Sequence, residues 1–210
     1  MTAADWVAVA LSLRVAVAAT ALALVPGVGA GWFLARTSSR WKGVVELATM
    51  LPLVLPPVVT GYALLLVLPR GVAFSWAAAV LASAVVGFPL LVQAVRVGVE
   101  AVDPDLARAA AVDGAGRWRA FRHVTLPLTA PAVAAGAALH FARALGEFGA
   151  TIVVAGNIPG RTQTLPLALY TRLHQAGGEA AALRLAAVAV VVAGASLVAY
   201  RWLLRRWAAA

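Results

Sequence analysis

The chain has 210 residues, 63% of them hydrophobic and only 12% charged. A water-soluble domain of this size has too little interior to hide that much apolar surface, so a soluble fold is excluded and lipid is the expected solvent. Net charge is +9, from 17 Lys+Arg against 8 Asp+Glu. The cations sit mainly in short segments between apolar runs, the pattern of membrane topology rather than of nucleic-acid binding.

Five stretches are long and apolar enough to cross a hydrocarbon layer of about 30 Å, and in lipid they must do so as helices. They are expected at 15–35, 44–68, 76–97, 130–155 and 183–204, so residues 1–210 read as one polytopic all-α membrane domain. The N-terminus carries Asp5 and no basic leader, so it reads as a retained first span rather than a cleaved signal. Within the first span, Gly27 and Gly31 follow Pro26 and make a small-residue face suited to close helix packing.

The second span, LPLVLPPVVTGY at 51–62, is rich in proline. Proline removes an amide and breaks a helix. A broken helix at membrane depth is tolerated where it is buried in protein or lines a wet cavity. Pro56, Pro57, Thr60, Gly61 and Tyr62 are therefore candidate pathway residues, with a simple packing kink as the plainer alternative.

Between the third and fourth spans lies a polar segment, 98–129, that carries Arg108, Arg117, Arg119, Arg122 and His123. Leu106–Val112 is helix-prone, Gly114 and Gly116 interrupt it, and Arg117–Val124 can resume as a short basic helix ending at Leu126-Pro127. Such a helix suits a partner's groove or an anionic lipid surface equally well.

The fourth span holds His140, Arg143 and Glu147 in HFARALGEFG. Offsets of three and seven put them on one helical face. Ionisable groups inside a span usually face a bundle interior or a cavity, so these three are candidates for a charged lining or gate. A structural ion pair between Arg143 and Glu147 serves as an alternative reading. Residues 157–182 are too polar to cross; Leu165–Leu173 is expected as a short amphipathic helix at the outer interface, broken by Gly177 and Gly178.

With the N-terminus outside, eleven cations fall inside and five outside, with Arg143 left within a span, so the positive-inside rule puts the basic segment in the cytoplasm. No phosphate-binding loop is present: the only lysine, Lys42, is followed by Gly43 outside any G-x-x-x-x-G-K context. The three histidines have no metal-ligand spacing and no nucleophile triad stands out, so no cofactor or metal is expected in this chain.

The spacing Ala109-Ala110, three residues, Gly114, nine residues, Val124-Thr125-Leu126-Pro127 resembles the EAA loop of bacterial ABC importer permeases. Within that superfamily the chain is similar to the molybdate permeases, through LPLVLPPVVTGY, FSW at 74–76, GAGRWRAF at 114–121, TLPLTAP at 125–131, FARALGEFGAT at 141–151 and NIPGRTQTLPLALYT at 157–171. Two positions depart from the loop pattern: its glutamate is Arg108 here and its isoleucine is Val124.

The resemblance implies a homodimeric permease in the bacterial inner membrane that imports molybdate, and tungstate as well. It implies two separate cytoplasmic ATPases that use ATP and magnesium, and a periplasmic or lipid-anchored binding protein. It also makes Arg108, Ala109, Ala110, Gly114, Ala115, Gly116, Arg117, Trp118, Arg119, Leu126 and Pro127 the ATPase-coupling loop. A sulfate or thiosulfate importer is the nearest alternative, and a stand-alone channel or secondary transporter the alternative of another class.

Overall fold

The computed structural model describes residues 1–103, 105–106, 112 and 116–208, and the side chains of these except Arg117 and those beyond Trp202. Among them the chain is helical: α1 (Ala3–Arg36), α2 (Lys42–Val54), α3 (Pro57–Val67), α4 (Trp76–Glu100), α5 (Arg117–Ala120), α6 (Leu126–Leu145), α7 (Gly149–Val154), α8 (Leu165–Leu173) and α9 (Glu179–Ala208). The one-turn α5 joins α6 through a π-helical segment, Phe121–Thr125, so Trp118–Leu145 is one continuous rod of 28 residues.

Long-range contacts fix the directions. Gly27 of α1 meets Leu91 of α4, Gly31 meets Val95, and Arg36 Nη2 donates to the Val99 carbonyl at 3.3 Å. α1 and α4 therefore run parallel. Gly136 of α6 meets Leu91 and His140 meets Gly87, so α6 runs against them. Ala8 and Val9 pack with Leu185 and Val188, so α9 runs with α1. The Arg36 end of α1 and the Trp76 end of α4 thus lie at opposite ends of the bundle, and α2 with α3 must carry the chain from one to the other.

That α2–α3 connection is broken. The two helices are bent by 117° about Leu55-Pro56. Neither is long enough to cross a membrane alone, whereas α1, α4, Trp118–Leu145 and Glu179–Trp202 each are. Pro56 and Pro57 lack the amides that would extend α2, and the residue before a proline is forced out of the helical region. Leu55 accordingly adopts φ −69°, ψ 142°.

Three elements differ from the sequence expectation. α1 begins at Ala3 because Thr2 and Asp5 form a capping box, the Thr2 amide donating to Asp5 Oδ2 at 2.7 Å. Its 34 residues span about 51 Å, more than a hydrocarbon core needs. The stretch expected as one helix over 130–155 is two, because α6 stops at the Gly146 C-cap and α7 restarts at Gly149. Leu126-Pro127 also does not end the basic helix. The π-helical turn runs straight through it, with the Leu126 amide bonded back to the Phe121 carbonyl. Pro127 sits in the first turn of α6, where a missing amide is tolerated.

Candidate functional site

α6 carries three ionisable residues, which the fold sends to two places. His140 is fully buried between α1 and α4. Its Nε2 lies 3.1 Å from the Ala84 carbonyl and its Nδ1 lies 3.0 Å from Thr20 Oγ1. A carbonyl only accepts, so Nε2 carries a proton. Gly87 makes room for the ring, since a Cβ there would fall 2.8 Å from His140 Cδ2. His140 thus ties three helices together and meets no open space.

Arg143 and Glu147 lie further along. Glu147 is past the end of α6, so the one-face spacing holds for His140 and Arg143 only. The chain turns at Gly146 and still brings Arg143 Nη1 within 2.7 Å of Glu147 Oε2. The carboxylate side chain is 1% exposed and the guanidinium side chain 29%. The other oxygen, Oε1, accepts from the Ala150 amide at 2.7 Å, at the start of α7. An anion on helix-terminal amides is electrostatically favourable. Glu147 therefore has two structural tasks, neutralising Arg143 and seating α7.

α7 in turn seats the broken pair. Gly61 of α3 lies directly on Ala150, where a Cβ would fall 2.6 Å from the backbone oxygen. Gly149 lies on Pro57, where a Cβ would fall 2.9 Å from Pro57 Cβ. Pro57, Gly61 and Glu147 are thereby brought into one site, while Tyr62 is 56% exposed on the other side of α3. Pro56 is exposed at the break, and Thr60 is buried.

At the opposite end, Trp118 is 70% exposed and stacks on Phe121 at 5.4 Å; Phe121 meets Trp32 of α1 edge-on at 5.1 Å. Arg96 joins α4 to the start of α2, with Nη1 at 2.6 Å from Glu46 and Nε at 2.9 Å from Glu100. Arg119 and Gly116 are exposed beside Trp118. Of the other coupling-loop residues, Arg108, Ala109, Ala110, Gly114 and Ala115 lie outside the described residues.

A family model, binding-protein-dependent transport system inner membrane component, matches residues 27–208. The chain belongs to that family. This inner membrane component is 46% identical to the molybdenum transport system permease protein ModB of Escherichia coli (strain K12), across 98% of this chain and 96% of that protein. It is 35% identical to the molybdate/tungstate transport system permease protein WtpB of Thermococcus kodakarensis, across 93% of this chain and 77% of that protein. Its fold matches an inward-facing MetNI methionine ABC transporter chain with TM-score 0.76 at 16% identity, covering 95% of this chain and 94% of that one. The inner membrane component is a transport subunit, and the ATPase of such a system is a separate chain.

Several residues that build the site of this transport component carry no local sequence signal. Trp32, Thr20, Gly87 and Ala150 serve partners tens of residues away. Glu46 is the exception, an acid near the start of an apolar helix, four residues after Lys42 and so at the spacing of a local ion pair. Its partner proved to be Arg96.

Proposed function

We propose that this chain is the membrane subunit of an ATP-driven importer of molybdate, and of tungstate as well. Near full-length likeness to a permease named for molybdenum transport carries this reading. Two copies form the pathway, two cytoplasmic ATPases supply the energy, and a periplasmic or lipid-anchored binding protein delivers the oxyanion. The N-terminus lies outside, which places the Trp118 end of the rod in the cytoplasm, where Arg117, Arg119 and the aromatic pair dock in an ATPase groove. The rod supports such coupling mechanically. A push at Trp118 travels along continuous helix to Arg143, crosses the ion pair to Glu147, and reaches the broken pair through α7.

A dianion is expensive to move through lipid. Exposed backbone at the Leu55-Pro56 break and the neutralised Arg143 lower that cost. Vesicles holding the permease, the ATPase and the binding protein test the reading. ATP-dependent uptake of labelled molybdate that survives excess sulfate is expected. Uptake that sulfate abolishes would make the chain a sulfate importer, and uphill uptake without ATPase would sink the proposal.

A further inference from the structure

α4 and α6, the helices on either side of the basic segment, leave an open groove of about 450 Å³ between them. Its walls are apolar, small at Gly98, Ala132 and Ala135 and large at Leu90, Val97 and Leu139, with one polar side chain among the described residues, Gln93. Gln93 is exposed and makes no hydrogen bond among the described residues. A carboxamide four hydrogen bonds short is costly against hydrocarbon, and polar side chains at that depth usually face a wet cavity or another chain.

The charged residues lie beyond one end of the groove. Leu139 lines it, and Arg143 stands one turn further along the same face of α6. Because Leu91 meets Gly136, Gln93 and Arg143 are separated along the helices by roughly 13 Å, about two and a half helical turns. The other charges near the groove are already balanced. Arg96, one turn beyond Gln93, holds Glu46 and Glu100, and Glu147 is held by Arg143. Among the described residues, no acidic side chain lines the groove.

From this arrangement we infer that the α4–α6 groove is the inner stretch of the oxyanion path, with Gln93 donating its amide hydrogens to a tetrahedral dianion arriving from Arg143. The inference rests on the transport reading above. An uncharged donor suits a transit site. It offers hydrogen bonds to the oxyanion oxygens without the full charge attraction that would trap the ion. Arg143, neutralised by a buried carboxylate, offers donors on similar terms.

The chain has no cysteine, so a single Gln93→Cys change permits a direct test in the complete transporter. The cysteine should react with a negatively charged, membrane-impermeant thiol reagent applied from the cytoplasmic side, and added molybdate should slow that reaction severalfold. Gln93→Leu should lower uptake severalfold per assembled complex, and Gln93→Glu at least tenfold, since it sets a carboxylate against a dianion. Labelling only by an apolar maleimide would place the groove against lipid. Failure of the cysteine to react with either reagent would make it a packing face. Either result overturns the inference. Absence of uptake by the unsubstituted complex would sink the transport reading instead, and the labelling would still decide the groove.

Discussion

The α1–α4–α6 frame and the broken pair α2–α3 are both rich in apolar residues, yet they bury opposite kinds. The frame buries Leu91, Val92, Val95 and Val99 completely or nearly so. In α2 only Thr49 is buried, and in α3 only Thr60 and Gly61. Leu47, Leu53, Val54, Leu66 and Val67 are all more than half exposed. The frame is held by volume filling. The pair is held at fewer points: Glu46 on Arg96, Gly61 on Ala150, Pro57 on Gly149, and the half-buried Leu64 and Leu65 against the core. An element held at few points can be displaced without dismantling its support, which suits a part that moves against a part that stays.

The largest effect should come from removing what drives the frame. Deleting residues 114–119 should abolish ATP-driven uptake while the chain still inserts in the membrane, as uptake assays and membrane fractionation will report. Retained uptake would detach the basic segment from the coupling role. Next comes an insertion into the frame itself. Gly87→Leu drives a side chain into the ring of His140, which is fully buried and held at both ring nitrogens. Overpacking of this kind costs about 3 kcal/mol, and the yield of folded protein in detergent should fall sharply. An unchanged melting temperature would mean that the three helices are less tightly joined than His140 suggests.

Glu147→Ala acts at the joint between the two regions. It strands Arg143 and strips the acceptor from the Ala150 amide. Breaking a buried pair costs about 3–5 kcal/mol when both partners are enclosed; with the Arg143 side chain 29% exposed, about 2 kcal/mol is expected. Glu147→Gln keeps the acceptor and should recover part of that loss in a thermal melt. Equal melting of both variants would assign the stabilisation to the ion pair alone.

This joint also marks how far the sequence can be read. The all-helical fold, the break at the Pro56-Pro57 pair and the i,i+4 relation of Arg143 to Glu147 follow from composition, proline chemistry and local spacing. The end of α6 does not. Gly146 is a weak stop signal in an apolar run, and the restart at Gly149 depends on a carboxylate whose burial only the folded chain provides. His140 illustrates the same limit. Periodicity shows that it shares a face with Arg143, but its partners Thr20 and Ala84 are 120 and 56 residues away. Local pattern says which face of a helix is special and not what it will meet. Gly61 belongs to the same class, an ordinary glycine in the sequence whose close contact with Ala150 is purely tertiary.

Gly61→Leu is the counterpart of Gly87→Leu, and the two together test the comparison. The inserted side chain meets backbone, the Ala150 carbonyl oxygen at 2.6 Å from the new Cβ. Here α3 can swing outward, because its outer face carries no packed neighbour in the single chain. The cost should fall to about 1 kcal/mol, and the change should show as altered uptake rather than lost protein. If Gly61→Leu and Gly87→Leu lower the melting temperature equally, the pair is as firmly seated as the frame.

The smallest effect discriminates between two surroundings for the exposed face. Val54 is 79% exposed at the end of α2. Truncating it to alanine removes two carbons' worth of apolar surface, a loss of about 1.5 kcal/mol where the side chain is packed against protein. Against lipid tails the exchange is close to neutral, because hydrocarbon solvates valine and alanine almost equally well. The homodimer proposed above places a second copy within reach of this face without naming the helix that covers it. In the single chain, Val54→Ala should change melting by less than about 0.5 kcal/mol. The same substitution measured on the dimer, as a shift in its dissociation midpoint, then shows whether Val54 meets the second copy. A weakened dimer makes the broken pair an inter-subunit contact, and an unchanged one leaves its outer face to lipid.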